Sequence, residues 1–355
     1  MPAYSIHVLL SEVLKKKGSD LHLSVGIPAA IRMDGQLNFI GDPLTSSEHL
    51  EMLSQILSPT QLETLHRDKE LDFSFSFHAS EDVSSRFRGN CSYERGNLCT
   101  ALRVITSNIR TTKQLMLSPA VEDVANRIRG LFLVTGPTGS GKSTTLAAIV
   151  QQINMTRYCH IITIEDPIEY LYMSERSIIH QREIGSDTRS FQEALKRALR
   201  QDPDVILIGE MRDLETVSAA VTAAETGHLV FGTLHTPDAS QTIDRMIDVF
   251  PPHQQQQVRM QVANILVGIC SQQLLPLPGG GRMVATELLI ANPAIRNCIR
   301  EAKTSQIKGV MQTGAALGMH TMDQDLARLV SEGYIARSDA FTYSYDTKEL
   351  ERLLG

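Results

Sequence analysis

The ten residues TGPTGSGKST, Thr135 to Thr144, carry the spacing G-x-x-x-x-G-K-S between Gly136 and Ser143, and the apolar run LFLVT, Leu131 to Thr135, leads into them. Gly136, Gly139 and Gly141 let the backbone wrap, with Pro137, Thr138 and Ser140 between them, so that successive N–H groups point inward at phosphate oxygens. A helix starting at Lys142 offers the positive end of its dipole to the same anion. Lys142 reaches the β- and γ-phosphates as a point charge, the Ser143 hydroxyl can sit on Mg²⁺, and Thr144 completes the phosphate-binding segment. A glycine-rich strand–helix turn with no ligand is the plain alternative. The strand before and the helix after are the context a phosphate loop demands, and both are legible here. The segment therefore predicts a bound nucleoside triphosphate, ATP, with Mg²⁺.

Working outward, three more short apolar runs follow the loop: His160 to Ile164, Val205 to Ile208 and Leu229 to Leu234. Helical patterns at Ser190 to Arg200 and Asp213 to Glu225 lie between them. Buried strands alternating with helices predict a parallel α/β sheet. Val258 to Gln273 reads as a further helix, and the tail from Pro293 to Leu354 as mostly helical. Upstream the pattern differs. Ser5 to Lys17 reads as a helix capped by Ser5. Strand-like pieces follow at Asp20 to Val25, Ala30 to Met33 and Leu37 to Ile40, with an Asp34-Gly35 turn before the last. Thr45 to Leu65 looks helical, LDFSFSF (Leu71 to Phe77) alternates with period two, and Phe87 to Val104 continues in short strands. The polar segment Ile105 to Ser118 reads as a linker. The expected organisation is a small α+β domain over 1–110, a linker over 111–120 and an α/β domain over 121–355.

Composition narrows the class. A chain of 355 residues suits two domains, and 42% hydrophobic with 21% charged residues is ordinary for a soluble globular protein. A net charge of −6, no tryptophan and 5% aromatics argue against a nucleic-acid partner. Met1 to Gly18 lacks the apolar core of a signal peptide, and no apolar stretch reaches the roughly 18 residues of a membrane span. Cys91, Cys99, Cys159, Cys270 and Cys298 are scattered without a C-x-x-C pair, as expected of free thiols in a reducing compartment. The expected location is cytoplasmic, with membrane contact only through partners.

Three segments after the loop supply groups for hydrolysis at strand ends, where open α/β sheets place their sites. In ITIEDPIEY, Glu165 and Asp166 follow a buried run and can hold Mg²⁺ directly or through water. In DVILIGEMRD, Gly209 stands where a Walker B segment usually has its metal-binding aspartate. Glu210 is then the candidate for orienting or deprotonating the attacking water. In TGHLVFGTLHT, His228 and His235 flank one apolar run; a histidine at a strand end is more often structural, but His235 ends a strand expected beside the loop, where a γ-phosphate sensor belongs.

Together these elements resemble the secretion and type IV pilus ATPase superfamily, whose P-loop is followed by an acidic box, a Walker B with Gly-Glu and a histidine box, in the order found from Gly136 to Thr236. AIRNCIRE (Ala294 to Glu301) is similar to the AIRNLIRE element of the PilT-type pilus retraction branch, with Cys298 in place of leucine. GMHTMDQDL (Gly318 to Leu326) and SDLHLSVGIPAAIRMDG (Ser19 to Gly35) fit the same group. The resemblance implies a homohexameric ATPase with a RecA-like motor domain and a PAS-like N-terminal domain, acting on a pilus platform protein of the inner membrane to retract the fibre. It implies nucleotide contacts from the phosphate loop and His228, and trans-acting arginines at Arg88 and Arg103, although Gly89 replaces the valine usual after the RFR run. An accessory retraction ATPase, or an assembly ATPase of a pilus or type II secretion system, is the nearest alternative. Assembly ATPases of type II secretion usually carry a four-cysteine zinc element that this sequence lacks. A nucleotide-gated scaffold that barely hydrolyses ATP would not need Glu165, Glu210 and His235, and a nucleic-acid translocase on a RecA-like core is opposed by the net charge of −6 and the scarcity of aromatics.

Overall fold

The computed structural model describes residues 5–33, 35–79, 84–105, 108–277 and 280–355. Asp34 of the expected Asp34-Gly35 turn lies outside them. The chain divides into two compact units, Met1–Asn108 with Glu169–Leu171, and Ile109–Ile168 with Tyr172–Gly355.

In the smaller unit, α1 (Ile6–Lys15) starts where the Ser5 side chain accepts the Val8 N–H, and it buries Ile6, Leu9, Leu10 and Val13. Six strands form one antiparallel sheet in the order β3-β2-β1-β6-β5-β4. They are β1 (Asp20–Ser24), β2 (Ala29–Met33), β3 (Gln36–Ile40), β4 (Glu70–His78), β5 (Ser84–Glu94) and β6 (Asn97–Ile105). Phe73 and Phe77, from the period-two run, pack with Phe87 against the α1 side chains. The single helix expected over Thr45 to Leu65 is two helices, α2 (Ser46–Ser54) and α3 (Pro59–Asp68). Each has its own capping box, Thr45 with Glu48 and Ser58 with Gln61. Pro59, lacking an N–H, can only begin a helix there. The short strands expected over Phe87 to Val104 are the long hairpin β5–β6.

The larger unit opens with α4 (Pro119–Glu122) and a 3₁₀ turn. Its core elements are β7 (Gly130–Thr135), α5 (Lys142–Thr156), β8 (His160–Glu165), β9 (Ile178–Glu183), α6 (Phe191–Ala198), β10 (Val205–Ile208), α7 (Leu214–Glu225) and β11 (Leu229–Leu234). Then come α8 (Ala239–Asp248), α9 (Pro252–Ile265), β12 (Leu266–Pro276), β13 (Arg282–Ile290), α10 (Pro293–Arg300) and α11 (Ile307–Gln312). Helices α12 (Met322–Ser331), α13 (Arg337–Tyr343) and α14 (Thr347–Leu354) finish the chain. The sheet order is β13-β12-β7-β11-β10-β8-β9, parallel except for the edge strand β13. Residues of one parity along the central strands, including Leu133, Ile164, Ile208 and Val230, join one core layer; Phe132, Leu207 and Phe231 join α5's Leu146, Ile149 and Ile153 in the other. Burial on both faces explains why these strands read as unbroken apolar runs.

The helix expected over Val258 to Gln273 is a correction. It stops at Ile265, and Leu266 begins β12, paired parallel to β7. The reason is partly remote in sequence. Arg296 of α10 donates to the carbonyls of Ala263, Asn264 (2.8 Å) and Leu266 (2.9 Å), satisfying acceptors that a helix end leaves open. A run such as ILVGIC suits a buried strand as well as a helix, so periodicity alone cannot place that boundary. Among the described residues, no helix is long and apolar enough to cross a membrane.

Candidate active site

Parallel register brings the separate motifs to one sheet edge. Thr135 lies beside Leu234, and Ile208 lies between Gly232 and Ile164. The chain leaving β7, β11, β10 and β8 therefore carries the P-loop, His235, Gly209-Glu210 and Glu165-Asp166 side by side at the carboxyl ends of the strands.

Gly136 opens the loop with φ +133°, and a Cβ there would stand 2.3 Å from the Gln272 carbonyl oxygen. Only glycine admits both that conformation and that approach of β12. Lys142 starts α5 and is buried, with its ammonium donating to the carbonyls of Gly136 (2.8 Å) and Pro137 (2.9 Å). The head of the lysine is thus held over the mouth of its own loop. Ser140 is buried, and its hydroxyl has no hydrogen-bond partner among the described residues. Ser143 and Thr144 stand in the first turn of α5, half-buried. β12 braces both flanks: the Thr135 hydroxyl donates to Ser271 Oγ at 2.8 Å, and Gln272 Nε2 donates to Thr145 Oγ1 at 2.7 Å.

At the end of β8 the Glu165 carboxylate is buried. Its Oε1 accepts from the Thr163 hydroxyl at 2.6 Å and from Gln181 Nε2 at 3.4 Å. Asp166 is exposed. Beyond β10, a Cβ on Gly209 would lie 3.2 Å from both Glu165 Cα and the Ile164 carbonyl oxygen, so the neighbouring strand end crowds the position. That closeness is the physical reason a glycine, not an aspartate, stands there. Glu210 then turns into the site and is partly shielded. Its Oε1 receives the Arg212 Nε–H and lies 2.9 Å from His235 Nε2. The carboxylate and Asp166 raise the Arg212 pKa, the hydrogen bond to Glu210 being the larger cause.

The loop, Glu165, Asp166, Glu210 and His235 are thus assembled from four strand ends. His228, expected from the resemblance as a nucleotide contact, is not among them. It precedes Leu229, and its Nδ1 lies 2.8 Å from the Ala223 carbonyl at the end of α7. The six residues of β11 lie between it and His235, and seven steps at about 3.3 Å each put it roughly 23 Å away at the amino end of the sheet. Arg88 and Arg103 belong to the smaller unit, directly opposite each other on β5 and β6, both exposed. Arg103 Nε donates to Asp20 Oδ1 at 2.7 Å. Burial opposes ionisation of Asp20, but hydrogen bonds from Ser19 and Arg103 keep its carboxyl below the usual range. Sequence reading missed Thr163, Thr233 and Gln272. For the first two, the signal was a threonine two places before Glu165 and before His235, on the same strand face.

The model of the type II/IV secretion system protein family matches residues 3–333. The chain belongs to that family. Among its relatives, the type IV pilus retractation ATPase PilT of Pseudomonas aeruginosa is 46% identical over 333 residues, covering 94% of this chain and 96% of that protein. The type IV pilus ATPase PilU of the same organism is 37% identical, covering 98% of this chain and 90% of that protein. A crystal structure of the pilus retraction motor PilT with bound ADP superposes with a TM-score of 0.91 at 48% identity, covering 98% of this chain and 99% of that one. The larger unit of this family member is accordingly the RecA-like ATPase domain, and the smaller is the family's N-terminal domain.

Proposed function

We infer that the chain is an ATP-hydrolysing motor that drives retraction of a type IV pilus. The observation that carries the catalytic part is the contact of Glu210 with His235 beside the P-loop, since a protein that only binds nucleotide needs no carboxylate oriented there. Identity of 46% along nearly the whole of a retraction ATPase supports the mechanical part. The 37% likeness to PilU, a type IV pilus ATPase, keeps a role in the same machinery other than retraction as the second reading.

In this reading the loop amides from Gly136 to Thr144 and the Lys142 ammonium bind the phosphates. Ser140's otherwise unpartnered hydroxyl fits a phosphate acceptor. Glu210 takes a proton from water as the water oxygen attacks the γ-phosphorus. The bond from that phosphorus to the β–γ bridging oxygen breaks, leaving ADP and phosphate. His235 Nε2 lies 2.9 Å from the Glu210 carboxylate, so His235 orients the base and is placed to register the γ-phosphate. Among the described residues no three His, Cys, Asp or Glu side chains form a metal cage. The donor set fits Mg²⁺ instead, which takes one or two protein oxygens plus phosphates. Ser143 and Glu165 would hold it, with Asp166 through water, and it supplies charge neutralisation. Arg88 and Arg103, presented on the smaller unit, act on the nucleotide of an adjacent copy. That requires an adjacent copy, and we propose a homohexameric ring working from the cytoplasm on an inner-membrane platform protein and touching the membrane only through it. Deleting the gene in its native host is expected to leave abundant surface pili and no twitching; loss of the pili themselves would point to assembly.

A further inference from the structure

Strand β11 grips the turn that carries Glu210 at several successive points. The Thr233 hydroxyl, buried at 5% exposure, donates to the Gly209 carbonyl at 2.5 Å. The Thr233 carbonyl accepts the Met211 N–H at 3.0 Å. One residue earlier, Gly232 leaves room for the Met211 side chain, whose Cε would lie 2.9 Å from a Cβ there. Two residues later on the same face, His235 reaches Glu210 Oε1. Both peptide units flanking Glu210 are therefore tied to one residue, and that residue stands in the middle of a sheet buried on both faces.

We propose that Thr233 is a positioning residue for hydrolysis, its hydroxyl fixing the Gly209–Glu210 peptide so that the Glu210 carboxylate faces the attacking water. The inference rests on the assignment of Glu210 as the base. A turn of two residues beyond a strand end has its own backbone freedom, and each rotation of the Gly209 carbonyl swings the following side chain. The main-chain bond to Met211 survives any substitution at 233. The hydroxyl bond alone holds the Gly209 carbonyl from this side and is the part a mutation can remove. Because none of the phosphate loop's side-chain hydrogen bonds involves the Thr233 hydroxyl, its loss falls on the chemical step and spares nucleotide binding.

The test compares Thr233→Val, Thr233→Ala and Thr233→Ser with wild type, alone and combined with Glu210→Gln, in steady-state ATP turnover, ATP affinity and thermal melting of the full chain. Valine keeps the shape and alanine relieves any crowding, so at least one hydroxyl-free variant reports even if the other fails to fold. We expect kcat to fall about 10- to 100-fold in Val and Ala with KM within about twofold. Ser should restore kcat to within about threefold, and Glu210→Gln should mask the Val effect, because both changes remove the same function. Wild-type kcat in Val or Ala beside an inactive Glu210→Gln would overturn the positioning role, as would a loss carried in KM or one that multiplies with Glu210→Gln. Normal turnover by Glu210→Gln itself would overturn the prior assignment of the base instead.

Discussion

Glu210 Oε1 and His235 Nε2 lie 2.9 Å apart, joining the ends of two adjacent parallel strands, β10 and β11, at the carboxyl edge of the sheet. Neither residue's neighbours in sequence predict the contact; it exists because Ile208 is in register with Gly232. Displacing a catalytic group by about 1 Å can cost on the order of 100-fold in rate. His235→Ala should lower kcat by that order while leaving ADP affinity within a few-fold. A variant with normal kcat in a coupled phosphate-release assay would remove His235 from the chemistry.

Gly209→Ala places a methyl 3.2 Å from backbone atoms of Ile164 and Glu165, which cannot move aside as a flexible side chain would. Overpacking of this kind costs about 1–3 kcal/mol, read as a lower urea midpoint. Turnover should fall more than about tenfold, because the same displacement swings Glu210. An alanine variant as stable and as active as wild type would show that the strand ends part without cost.

Glu287 of β13 is buried, and burial pushes its pKa up to about 7, despite the Ala239 N–H that its Oε1 accepts at 2.8 Å. Between an unfolded value near 4.5 and about 7, the native state holds a proton that the unfolded chain has lost. Its contribution to stability is therefore complete below the lower value and declines as pH rises through the upper one. The full difference is on the order of 3 kcal/mol. Chemical denaturation at pH 5 and pH 8 should show a smaller stability drop for Glu287→Gln than for wild type. Equal drops would mean the carboxyl titrates normally.

Arg103→Ala should lose ATPase activity that mixing with an intact-arginine, Lys142→Ala chain partly restores, since each would supply what the other lacks across a subunit boundary. Mixtures no more active than the separate variants would count against an arginine acting in trans.

The nucleotide edge was largely legible because its chemistry is local. A phosphate loop is one continuous segment, and each acidic or histidine group directly follows an apolar run. What pairing decides was hidden. The boundary at Ile265 depends on Arg296 arriving from α10, and β12 then extends alongside β7, where Gln272 meets Gly136. Edge strands β9 and β13 were also missed; polar residues such as the exposed His180 and half-buried Gln181 in β9 interrupt the apolar run that marks the central strands. His228 and His235 look equivalent in sequence, yet strand direction puts only one at the loop. Thr233 is an ordinary strand residue until the register reveals what its hydroxyl faces.

The role of Glu210 as the base is tested most directly by single-turnover hydrolysis with Glu210→Gln, measured together with its ATP affinity. The neutral amide keeps the size of the side chain but cannot take a proton from water. ATP should bind within a few-fold of wild type and be hydrolysed at least about 100-fold more slowly. Hydrolysis at the wild-type rate would contradict that role.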